Sequence, residues 1–262
     1  MTLEQRVQHY IDRGFEELPA QVLVLMEESA IALFSALPER FILFGGATLV
    51  LFHASPRLSR DLDLLARTDT PPTAEELRSA LEERVQEVAG IFGLAPVEFE
   101  AERGDGQFLR LWIMGAQKQR LFTVDLTRIG GSVLVREIVK EKIVGDEGTT
   151  WIAAPSRDYL LLQKAETFIA RRAIKARDAF DISLLLGEGA VLKGTLRAHL
   201  NDALAWREFD RERINERIEQ ITPKLCRAEL EPVLPEEVYK KLETGGFESL
   251  REAIRTVFAE WL

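Results

Sequence analysis

An apolar run, a glycine pair, a short apolar helix pattern and then two aspartates two residues apart constrain this chain more than any other feature. The stretch is Phe41–Ala66, FILFGGATLVLFHASPRLSRDLDLLA. Phe41–Phe44 has strand character, Gly46–His53 reads as a short helix closed by Pro56, and Ser59–Ala66 alternates as a strand does. Residues two apart on a strand point the same way, so Ser59, Asp61 and Asp63 are expected on one face, with Leu62 and Leu64 on the other. Side-by-side carboxylates repel and resist burial unless a cation neutralises them. Arg57 and Arg60 could do so in a surface ion network, and a divalent cation could do so in a binding site. Gly45-Gly46 supports the second reading, because glycine lets a phosphate approach the backbone and the following helix offers unpaired N–H groups. Alone, the pair is also what any tight strand-to-helix turn uses.

A third acid strengthens the cation reading. In Leu121–Leu126 the alternation sets Leu121, Thr123 and Asp125 on one face and Phe122, Val124 and Leu126 on the other. Mg²⁺ takes oxygen ligands and is commonly held by a few carboxylates together with substrate phosphate oxygens, which Asp61, Asp63 and Asp125 would satisfy. His9, His53 and His199 are scattered and Cys226 is the only cysteine, so soft-metal chemistry has no ligand set. A single cysteine also excludes an intrachain disulfide and suits a reducing cytoplasm. Neither a signal peptide nor a membrane span is expected. With 43 acids against 34 bases, the net charge of −9 argues against whole-surface attraction to nucleic acid, though not against a local basic cleft.

The remaining pattern gives an α+β fold. Residues 3–37 carry apolar positions at helical spacing up to Pro38, and Thr73 caps a helix to about Phe92 after a Thr70–Thr73 loop. Strand patterns follow at Val97–Glu102, Phe108–Met114 and Leu121–Leu126, the first two joined by hairpin punctuation at Arg103-Gly104-Asp105-Gly106. The order predicts a mixed sheet with flanking helices over 1–153, followed by a helical domain over 154–262. Helices are expected at 156–172, 174–187, 191–205, 208–221 and 247–261, with 222–246 rich in turns.

In the helical part, Lys164 interrupts the apolar stripe of Leu161, Ala165 and Phe168. A lysine on a buried face must reach water, an acid or a ligand anion. Asp178 and Asp181, three apart, share a helix face and call for a cation, from Arg177 one turn away or from Lys164. Arg171, Arg172, Lys175 and Arg177 add a basic cluster that would suit a polyanion or a solvated helix start.

Taken together, GGATLVLF, SRDLDLL, VDL, the helical lysine and RDAFDI resemble the nucleotidyltransferases of the AbiEii/AbiGii toxin family, whose core is similar to polymerase β-type nucleotidyltransferases. The resemblance spans residues 41–186. It implies Mg²⁺-dependent transfer of a nucleoside monophosphate from an NTP to a hydroxyl, with Asp61, Asp63, Lys164, Asp178 and Asp181 as catalytic residues. It implies Gly45, Gly46, Thr48, Ser59 and Lys164 against the nucleotide, and Asp61, Asp63 and Asp125 at the metal. Here Gly-Gly stands where better-known relatives have Gly-Ser, so the phosphate-touching hydroxyl is expected from Thr48 or Ser59. The implied acceptor is RNA, plausibly a tRNA 3′ end, and the implied partner an antitoxin protein. A protein hydroxyl, a small-molecule acceptor and a non-catalytic nucleotide- or partner-binding module are the competing readings.

Overall fold

The computed structural model describes residues 1–67, 71–104, 108–128, 135–145 and 148–262. The expected turn residues Thr70, Asp105 and Gly106 lie outside the described residues. The chain divides into two compact units, Met1–Ala54 with Leu58–Pro155, and Ser55–Arg57 with Ser156–Leu262.

The first unit begins with α1 (Leu3–Asp12) and α2 (Glu17–Ala36) rather than one helix over 3–37. Gly14, at φ +92°, adopts a left-handed conformation natural to glycine and separates them. The unit continues with β1 (Phe41–Phe44), α3 (Gly45–Phe52), β2 (Asp61–Ala66), α4 (Ala74–Ile91), β3 (Glu98–Arg103), β4 (Phe108–Met114) and β5 (Arg120–Arg128), and ends in β6 (Ile138–Val144) and β7 (Thr149–Pro155). Thr73 caps α4 reciprocally with Glu76, each side chain accepting the other's backbone N–H. The β6–β7 hairpin, which packs β7 on α2 and β1, is absent from the sequence expectation. Lys140, Glu141 and Lys142 interrupt the apolar pattern of β6.

The five-stranded sheet runs β1-β2-β5-β4-β3, with β2 and β5 parallel and the other neighbours antiparallel. This is the mixed sheet that the strand order predicts. Leu62, Leu64, Leu111, Ile113, Val124 and Leu126 are buried on its apolar side. Each such side chain contributes about 1.5–3 kcal/mol through its removal from water.

α2 is long and apolar enough to cross a membrane by length and composition, but here it is a core helix. It packs on α1, α4 and β7. Its acids are matched inside the unit. Arg6 Nε and the Tyr10 hydroxyl donate to Glu27 at 2.9 and 2.5 Å, and Arg84 Nε donates to Glu28 at 2.7 Å.

The second unit is helical: α5 (Arg157–Ala170), α6 (Ala176–Gly187), α7 (Gly194–Trp206), α8 (Arg211–Glu219), α9 (Pro223–Leu230), α10 (Glu236–Thr244) and α11 (Glu248–Val257). The turn-rich reading of 222–246 is corrected by α9 and α10. Pro223 sits in the first turn of α9, where a missing N–H costs nothing, and Pro235 precedes α10. Those prolines start helices.

Candidate active site

β2 begins at Asp61, so Ser59 precedes the strand and is buried at 7% exposure instead of sharing a strand face with the acids. Asp61 and Asp63 alternate with buried Leu62 and Leu64 and are both half-exposed. In the parallel register Asp61 lies beside Thr123, and Asp63 beside Asp125. The Thr123 hydroxyl donates to Asp61 Oδ1 at 2.9 Å, fixing one carboxylate oxygen.

The antiparallel β1–β2 pairing sets Phe44 opposite Asp63, which brings the Asp63 carboxylate onto the start of α3. Gly45 has φ +76°, and a Cβ built there would lie 1.9 Å from Asp63 Oδ2. No side chain fits at 45, on grounds of both conformation and space. The glycine turn and the second aspartate are therefore one packed element. Gly46 continues α3 one residue on.

The two hydroxyls expected on the nucleotide side, those of Thr48 and Ser59, are both on buried residues. Thr48 is fully buried, and its hydroxyl is enclosed without a hydrogen-bond partner.

Asp125 has a different environment from the other two acids. Arg110, its register partner on β4, donates from Nε to Oδ1 at 2.7 Å and from Nη2 to Oδ2. The carboxylate holds the guanidinium pKa above its ordinary range, first through these hydrogen bonds, with Asp61 adding to the same field. Arg110 is the neighbour that the sequence reading missed. Its signal was present, because Phe108, Arg110 and Trp112 alternate with Leu109, Leu111 and Ile113 along β4.

Among the described residues no three His, Cys, Asp or Glu side chains are grouped to share a metal ion. Asp61 and Asp63 share one face of β2, and Asp125 lies beside Asp63 on β5. An all-oxygen, half-exposed carboxylate pair suits a hard divalent cation that completes its shell with water and substrate oxygens.

A second charged cluster lies wholly within the helical unit. Asp181 is fully buried and accepts from Arg57 Nε at 2.8 Å and Nη2 at 3.0 Å, while Lys164 Nζ pairs with its Oδ2 at 2.7 Å. Asp178 pairs with Arg171 at 2.9 Å and more distantly with Lys164 at 3.7 Å. Burial raises the Asp181 pKa most, but Arg57 and then Lys164 outweigh it and hold the carboxyl below its usual range. Lys164 therefore answers an acid on the next helix, and Arg57 fills the place offered to Arg177, which is exposed. Of the basic cluster, Lys175 is tied to Glu229 at 2.9 Å.

Two solved Helicobacter pylori structures share the fold. A candidate nucleotidyltransferase has 14% identity and a TM-score of 0.59, covering 94% of this chain and 97% of its own. JHP933 has 13% identity and a TM-score of 0.58, covering 94% of each chain. No curated protein matches. The family model described as "Nucleotidyl transferase AbiEii toxin, Type IV TA system" matches residues 29–260. The whole five-stranded sheet and nearly all of the helical unit fall inside that match, and the chain belongs to the AbiEii family of nucleotidyltransferase toxins.

Proposed function

We propose that this toxin nucleotidyltransferase uses Mg²⁺ to transfer a nucleoside monophosphate from an NTP to an RNA hydroxyl, with a tRNA 3′ end as the acceptor. The supporting observation is the Asp63 carboxylate packed against Gly45 at the start of α3, with Asp61 on the same strand face. In this reading Asp61 and Asp63 hold the ion, and Thr123 keeps Asp61 oriented towards it. When bound, Mg²⁺ would neutralise charge on the triphosphate and on the leaving pyrophosphate. Gly45 and Gly46 leave the backbone N–H groups at the start of α3 open to a phosphate oxygen.

For Lys164 the proposed role is that of a charged group held in one orientation by Asp178 and Asp181. Preorganised charge of this kind is the main lever in phosphoryl transfer. The exposed Arg171, Arg172 and Arg177 favour a polyanionic acceptor. Membership of a toxin–antitoxin family supports an antitoxin partner, and the lone buried cysteine suits the cytoplasm.

The test is transfer of label from each of the four NTPs to total RNA with Mg²⁺, with Asp63→Ala in parallel. Labelled RNA from the wild type and none from a folded Asp63→Ala protein is the expected result. Label on protein or small molecules would replace the RNA acceptor, and full activity in Asp63→Ala would end the metal-site reading.

A further inference from the structure

The polar face of the sheet sets Asp125 beside Asp63 on the neighbouring strand, where a third carboxylate could join an ion held by Asp61 and Asp63. Its oxygens are nevertheless taken up by both prongs of the Arg110 guanidinium. That guanidinium is itself confined. It lies 5.2 Å from the centre of the Phe108 ring and 5.1 Å from that of Trp112, its neighbours two residues away on the same face of β4. Trp112 is held in turn by a hydrogen bond from its Nε1 to Glu102 at 3.3 Å. A bidentate arginine–carboxylate pair is a strong and geometrically specific contact, and the two flanking rings favour the guanidinium staying in place.

We propose that Arg110 is a positioning residue that withholds Asp125 from metal, so that the chain takes up a single divalent ion, at Asp61 and Asp63. The proposal rests on the reading of that pair as the metal site. The guanidinium engages both oxygens of the carboxylate that a second ion would need. The charge on Asp125 is balanced by the chain itself, leaving the second strand acid to shape the site electrostatically.

Mn²⁺ titration of the full-length chain, with bound ion counted by electron paramagnetic resonance, tests this without relying on activity. The wild type is expected to bind one ion, lost in Asp63→Asn. Arg110→Gln frees Asp125 and is expected to bind a second. The double variant Arg110→Gln with Asp125→Asn replaces a balanced ion pair by two neutral amides. It is expected to return to one ion with the wild-type affinity. Circular dichroism and thermal melting establish that each variant is folded. If Arg110→Gln does not fold, the wild-type count and the double variant still decide. Two ions in the wild type, one in folded Arg110→Gln, or weakened binding in the double variant would overturn the role of Arg110 and leave the Asp61–Asp63 site standing. No bound ion in the wild type would overturn the site itself.

Discussion

Asp61 with Asp63 on β2 and Asp178 with Asp181 on α6 are both close acid pairs, and their surroundings differ sharply. The strand pair is half-exposed, with Asp63 set against a bare glycine backbone. The helix pair is buried and packed around Lys164, Arg57 and Arg171. A carboxylate sealed in with its own cations is committed to the fold, because removing one partner strands the others in a low-dielectric interior. A carboxylate at the edge of solvent can exchange partners, which binding an ion and a triphosphate requires. Exposure distinguishes the two pairs better than spacing or composition does.

The largest expected effect tests that contrast on the strand side. Asp63→Asn should lower transfer by about a thousandfold, the cost of losing several kcal/mol of charge stabilisation. Its urea midpoint should move little. Asp181→Asn should do the reverse where stability is read, costing about 3–5 kcal/mol in urea unfolding because Arg57 and Lys164 then face an amide. A large midpoint shift in Asp63→Asn with a small one in Asp181→Asn would invert the comparison.

Gly45→Ala should be intermediate. The left-handed backbone costs about 1–2 kcal/mol, and the carboxylate of Asp63 must move from the space that the methyl takes. Stability and transfer should therefore fall together.

Acid sharpens the contrast further. Asp181 is held below its ordinary value in the fold, so the unfolded chain takes up its proton first. The stabilisation is complete above the unfolded value of about 3.9. It is lost as the pH falls through the lower, folded value. A urea midpoint series from pH 6 to pH 2 should decline at the acid end, and less steeply in Asp181→Asn. The smallest effect concerns Cys226, whose thiol burial pushes up to about 11. Alkylation at pH 8 should be slow in native protein and fast in urea.

The strand–turn–helix–strand around Asp61 was legible because each step has a local signal: an apolar run, a glycine pair, an alternation. β1 and β4 are predicted over their observed residues, and α3 and α4 within a residue or so. Local pattern failed where a long-range partner decides the outcome. Arg57 reads as a neighbour for Asp61, but its partner is Asp181, 124 residues away. Alternation reports which face Asp125 occupies, but not that Arg110, two strands from β2, arrives on the same face and pairs with it. The break at Gly14 was missed because apolar spacing continues across it. α9 and α10 escape the local pattern because the prolines of 222–246 read as turn residues, whereas Pro223 and Pro235 stand at helix starts.

The grouping of Ser55–Arg57 with Ser156–Leu262 has a practical consequence for anyone dissecting this toxin. Severing the polypeptide after Pro155 does not yield two self-sufficient pieces. The front piece keeps an arginine whose carboxylate has departed, and the back piece keeps a sealed aspartate answered by a lysine alone. Recovery of a tractable helical fragment would require supplying the missing tripeptide, or neutralising Asp181 in the same stroke.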